Sequence, residues 1–354
     1  LTHAGHPIIT DDHWASMGAL PGTNGHSYVI GHGGGLAQLV ADESGVIYVG
    51  GSFTVVGNVM ANNVARWDGS AWSALGEGIS GGPVYAMAVD GGNVYVGGRF
   101  DSAGGSEATN IAHWDGHQWW PLGSMWSDEV TAIAVAGDDL YAAGDGGQVA
   151  RWDGLQWTKL GSRMKGQHAR VSALLADGSD FYAGGRFETA DGKQATNIAK
   201  WNGLTWSPIG KGTMSDNSAV RALTHWQGKL VVAGSFNRVD NQRMNRIALW
   251  NGNEWTALGK GLSGSSPSIG PIVYSLAALG DSLIASGAFT NSGDEPANLI
   301  ARWNGEQWSS LGPGLTGGWV DALSVSGGLV YAGEVDSNGF NSISVWNGKN
   351  WAPL

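Results

Sequence analysis

Nine side chains interrupt an otherwise regular repeat with charge or with a bulky ring: Arg99, Trp126, Asp145, Arg170, Arg186, Arg221, Trp319, Asp321 and Glu334. Arginine presents a planar fork of donors that matches an anionic group edge on, and Asp or Glu accepts hydroxyls, so these types around a polar funnel can hold a sugar or an anionic ligand. Trp126 and Trp319 fall in loops, where a flat ring serves either as a platform for a sugar or a protein partner or as packing for the neighbouring loop. A second chemistry is open to Tyr85 or Tyr274 with His168. A phenol and an imidazole can move a proton while arginines neutralise a uronate, as a lyase or hydrolase of acidic polysaccharides requires. The same charges can instead pair with one another as salt links between elements.

Other chemistries have little to work with. There is no Cys, which removes disulfides, thiolate metal sites and a Cys nucleophile together. Five of the nine His (His3, His6, His13, His26 and His32) lie near the start of the chain. The spacing of His26 and His32 matches no metal site, so no metal is expected. Calcium at the acidic loops Asp101–Glu107 and Asp294–Glu295 is the one cofactor left open, without EF-hand spacing.

The elements that must position these residues repeat. Seven times an Asp-Gly or Asn-Gly pair directly follows one Trp and precedes another by three residues, from Asp68-Gly69 to Asn347-Gly348. Such a pair between apolar runs signals a β-hairpin, because both residues tolerate positive φ. Gly69 to Gly348 spans 279 residues over six intervals, a mean of 46.5, a period that belongs to β-propeller blades. Upstream of each hairpin lie two more strand-like runs, such as Val84–Val89 and Val94–Phe100. Each unit therefore has four strands, a to d, with no amphipathic helix. Fourteen of the 19 Trp sit in the hairpins, both of a pair on one sheet face, where packed sheets would bury them. Trp120 and Trp226, also in strands, are expected in the core. Arg66, Arg151, Lys200, Arg302 and His113 have the opposite parity and are expected to face a neighbouring sheet or solvent.

The turns a to b and c to d are minimal. The d-to-a loops (124–129, 162–170, 211–219, 260–272) and b-to-c loops (101–109, 188–196) are longer and emerge on one side, where function is usually grafted. A fourth-strand pattern also occurs at Trp14, so both it and Trp351–Leu354 are candidates to close the last unit.

The stretch Val94–Gly123, with Val-Tyr-Val-Gly-Gly-Arg-Phe, Asn-Ile-Ala-His-Trp-Asp-Gly and Trp-x-Pro-Leu-Gly, resembles the galactose-oxidase and kelch class of propellers. It is similar more closely to Trp-Asp-Gly repeat propellers of secreted bacterial proteins and of a fungal cell-surface polarity marker. The resemblance covers about residues 28–354. It departs from ordinary kelch units in that Tyr95 precedes Gly97-Gly98. Copper-oxidase chemistry does not carry over, since its cofactor needs a Cys joined to Tyr.

The sequence thus predicts an all-β, seven-bladed propeller of four-stranded antiparallel blades closed by its terminal segments. It is one domain over 1–354, with a closing segment at 1–27 and blades near 28–76, 77–123, 124–161, 162–210, 211–259, 260–312 and 313–354. A net charge of -11 argues against nucleic-acid partners, and no apolar run is long enough to insert in a membrane. Leu1 in place of Met fits a mature secreted chain or a trimmed one. The expected role is a secreted, non-catalytic module or scaffold binding a glycan or an extracellular protein through the long-loop face. The alternative is a polysaccharide lyase or hydrolase.

Overall fold

The computed structural model describes residues 28–30, 35–123, 129–177, 180–214, 218–264, 270–336 and 341–354. Among these residues there is no helix. A four-strand antiparallel meander occurs seven times, with inner strands Gly35–Ala41, Val84–Asp90, Val130–Ala136, Arg170–Asp177, Val220–Trp226, Ile272–Leu279 and Trp319–Ser326. Six meanders are sheets of their own. The last is extended by Tyr28–Ile30, which pairs both with its third strand (Val29 opposite Asn341) and with the b-to-c hairpin of the first meander (Val29 opposite Val56). Trp351–Pro353 takes the fourth-strand place of the last meander, Trp351 opposite Trp346. Trp14 lies outside the described residues.

The hairpin turns have four residues rather than two. Trp67 faces Trp72 directly across the ladder, and the Asp68 carboxylate accepts from the backbone N–H of Ser70 and Ala71, both at 2.9 Å. An Asx turn of this kind lets the side chain mimic a backbone turn. Its second member must be left-handed, and Gly69 has φ +96° with the other six turn glycines between +91° and +104°.

Because the Trp pairs sit opposite each other, their rings meet. All seven pairs have centroids 5.1 to 5.5 Å apart in tilted contact, the geometry aromatic quadrupoles favour. None of the fourteen is exposed. The second Trp of a pair also reaches the sheet before it. Nε1 of Trp119, Trp157, Trp206, Trp255, Trp308 and Trp351 donates to the carbonyl of Leu75, Leu122, Leu160, Ile209, Leu258 and Leu311. Each acceptor is the last residue of a Trp-x-x-Leu or Trp-x-x-Ile outer strand.

The core lies between sheets. Leu75 and Ile79 of one meander cluster with Val94, Phe100 and Trp119 of the next, and Leu36, Ile47 and Trp72 of the first cluster with Ala322, Tyr331 and Ile343 of the last. The first glycine of the Gly-Gly pairs, and Gly333 before Glu334 in the last meander, make this approach possible. A Cβ at Gly97 would stand 2.4 Å from Val130, one at Gly184 2.5 Å from Val220, and one at Gly333 2.3 Å from Leu36.

One expectation needs correction. Trp226 is buried, but Trp120 is 48% exposed because it alternates with buried Trp119 on the outermost strand; its indole bonds Asp115 instead. Of the residues before the first hairpin Trp, Arg66, Arg151 and Arg302 face solvent, as their parity suggests, and all five also contact their own sheet. Arg151 pairs with Asp139 at 2.7 Å, Arg66 bonds Ser73, Arg302 bonds Ser282, Lys200 lies over Tyr182, and His113 stacks on Tyr95.

Gly69→Val should lower stability by roughly 1 to 3 kcal/mol, because a β-branched residue is strained at that φ although no atom crowds it. Thermal unfolding of the variant checks this; an unchanged melting temperature contradicts it. Trp119→Phe, which removes the bond to Leu75, should cost about 1 to 3 kcal/mol by the same measurement.

Candidate functional site

Every inner strand carries a β-bulge at one equivalent place, leaving Ala37, Tyr85, Thr131, Ser172, Arg221, Tyr274 and Asp321 outside the regular ladder. A bulge re-aims one side chain without ending the strand. The strands around these residues line a common cavity of about 190 Å³, to which all seven inner strands contribute, from Ala37 to Leu323. Arg221, Tyr274 and Asp321 are its polar side chains with the most reach. The Arg221 guanidinium lies 5.9 Å from the centre of the Tyr274 ring.

Above it opens a larger cavity of about 790 Å³, lined by Asp145, His168, Arg170, Ser172, Arg186 and Arg221. The charges come together here through position in the strand. Arg170 and Glu129 directly precede the first core Val of their strands, and Asp145 and Arg186 end second strands. Arg170 Nη1 donates to Glu129 Oε1 at 3.0 Å, and its Nε stands 3.4 Å from Asp145 Oδ1. The Arg170 guanidinium also lies 6.0 Å from the centre of the Tyr85 ring. Arg170 and Asp145 each keep 40% of their side-chain exposure, so their salt link contributes little stability and leaves donors for a ligand.

Burial raises the Glu129 pKa, and the nearby Asp145 carboxyl adds to this while Arg170 opposes it. The Tyr85 phenol is raised by burial and then by Glu129, and Tyr274 by burial and then by Asp321. Both phenols are thus held protonated, which suits hydrogen-bond donation better than proton abstraction. Asp321 is pushed up to about 6 by burial, against a hydrogen bond from Trp319 and the charge of Arg221.

Of the nine residues singled out in the sequence, Asp145, Arg170, Arg186 and Arg221 line one cavity. Asp321 lines the smaller cavity, with Trp319 bonded to it, and Arg99 acts electrostatically on Tyr85 and Glu129. Glu334 does not join them: at 8% exposure its carboxylate accepts from Ser344 Oγ at 2.6 Å within its own sheet. Trp126 lies outside the described residues. Glu129 was missed, although it occupies the same place in its repeat as Arg170 and Trp319. Among the described residues no three His, Asp or Glu side chains gather as metal ligands do.

A beta-propeller domain of unknown function, DUF5122, matches residues 228–251, the centre of the fifth meander. Among solved structures the chain is similar to the computationally designed Ika8 protein, at 17% identity over 91% of this chain and 87% of that one, with TM-score 0.56. It is similar to the extracellular domain of a putative one component system from B. thetaiotaomicron, at 13% identity, 90% and 39% coverage and TM-score 0.57. The WD40 beta propeller domain of Doa1 gives 13%, 92% and 97% with TM-score 0.55. The chain thus spans about two fifths of the B. thetaiotaomicron domain. At these identities the likeness concerns fold, and the fold is an all-β propeller. No curated protein matches the sequence.

Since the pKa of Asp321 is near 6 when folded and near the model-peptide value of about 3.9 when unfolded, the native state binds more protons between those values, and stability falls as pH rises through that window. Asp321→Asn removes the titration. The melting temperature of the variant relative to the parent should therefore climb from about pH 4 to pH 6 and level off above, and a constant difference would refute the assigned burial.

Proposed function

We propose that the seven meanders close into a single seven-bladed, kelch-like ring over residues 1–354, with the blade bounds read from the sequence. On this reading the ring is a secreted or extracellular binding module. Packing of the first meander against the last supports the ring. So does the bond from Leu36 N–H to Asn341 Oδ1 at 3.0 Å.

The ligand we assign is an acidic glycan, held at the channel mouth. One observation carries this: Arg170, Arg186 and Arg221, with Asp145 and His168, border one open cavity of about 790 Å³, large enough for one or two sugar units. Arginine forks would take a uronate carboxylate, while Asp145, Glu129 and the protonated phenols would take hydroxyls. The extracellular domain among the similar structures fits such a setting.

A glycan array read against uronate-containing and neutral polymers tests the assignment, followed by titration calorimetry on the best binder. Arg221→Ala should weaken binding about tenfold or more, the usual effect of losing a charged hydrogen bond, with the melting temperature unchanged. Retention of only neutral glycans, or equal affinity in the variant, would overturn it.

A further inference from the structure

We infer a second anion site on the long-loop face, away from the channel, in the cleft between the fifth and sixth meanders. It arises from one substitution inside the repeat. Just before the third strand the first, second and fourth meanders have a left-handed asparagine, Asn63, Asn110 and Asn197, at φ +63°, +65° and +68°. Their amide oxygens cap the N–H of Phe53, Phe100 and Phe187. The amide nitrogens of Asn63 and Asn197 also tie down the chain entering the next meander, through Ile79 and Gly82 in one case and Thr213 and Ser218 in the other. The fifth meander has Arg246 there, at φ +68°.

An arginine gains nothing for the turn in this place and brings a charge into it. Arg246 Nη1 donates to Ser235 O at 3.1 Å, but its Nε is buried with no acceptor, and burial lowers its pKa. A desolvated cation without a counter-ion is costly. Arg246 borders a cavity of about 370 Å³ together with Arg238, Arg243, Asn237 and Ser263, and among the described residues no carboxylate lines it. Arg238 bonds the carbonyl of Asn241, and Arg243 bonds the side chain of Asn245. Three guanidinium groups thus border one cleft with no carboxylate among the described residues that line it. The cleft fits an oxyanion, the carboxylate or sulfate of an acidic ligand, because arginine forks match such groups bidentately. This site stands whether or not the channel mouth binds a glycan.

Calorimetric titration with sodium sulfate and with sodium glucuronate, at ionic strength held constant with chloride, tests it on the full chain. The parent should bind at least one of the two saturably, and the better one identifies the group. Arg246→Asn installs the residue of the first, second and fourth meanders, so it should fold at least as stably by thermal unfolding while losing about tenfold or more in affinity. Arg243→Ala should weaken binding as well. The loss on Arg246→Asn should be of the same size in an Arg221→Ala background, which separates this site from the channel mouth. Absence of saturable binding to both anions, or unchanged affinity in Arg246→Asn, overturns the inference.

Discussion

An indole N–H given to the backbone of the sheet before it is the interaction on which the other features depend. A β-sheet with two apolar faces is stable only between other sheets, but apolar contact alone leaves the sheets free to slide. The bond from Trp119 to Leu75 O, repeated five more times along the described chain, fixes where one sheet's outer edge meets the next. The first Trp of each pair then supports the donor ring, and the Asx turn holds the two Trp opposite each other. Glycines such as Gly97 let the inner strands approach at the other end of the sheet. Outer clamp and inner close approach together set the angle between sheets.

That angle brings the inner strands together at their starts, and the bulge makes the starts useful. In a regular strand every side chain at this place would belong to a sheet-to-sheet core and would have to be apolar. The bulge frees one residue per strand from that duty. Charge is therefore tolerated at Arg221 and Asp321, beside buried Val220 and Val320. The same logic applies at second-strand ends, where Arg99, Asp145 and Arg186 follow the last buried position.

How much of this was legible in the sequence follows from the period. Strand order, the Trp pairs and the side of the long loops all follow from the recurrence of Trp, Asp or Asn, and Gly at fixed spacing, since these residues serve backbone geometry that any sheet must satisfy. The site was legible only in part. Arg170 and Arg221 stood out as breaks, but Glu129 did not, because its significance lies in the place it shares with Arg170 and Trp319 one repeat later or more. Glu334 misled for the opposite reason. It breaks the Gly-Gly pattern, yet Ser344 on the adjacent strand satisfies it, and a cross-strand partner cannot be seen in a linear reading. Trp120 alternates correctly with Trp119, but the outermost strand has one face less to bury.

The breaks are also unevenly distributed, and this bears on how a ligand would lie. At the place before the first core residue the meanders carry, in order, Gly35, Pro83, Glu129, Arg170, Ala219, Ile272 and Trp319. After the second strand's last small residue come Ser52, Arg99, Asp145, Arg186, Ser235, Ala288 and Val335. Charge is confined to the second, third and fourth meanders at both places, with Arg221 of the fifth adjoining them. The remaining side offers Ile272, Ala288 and Val335. A mouth built this way is not a symmetric funnel. On the acidic-glycan reading we propose, the ligand's carboxylate would lie toward Arg170 and Arg186, with the Trp319 ring on the far side of the opening.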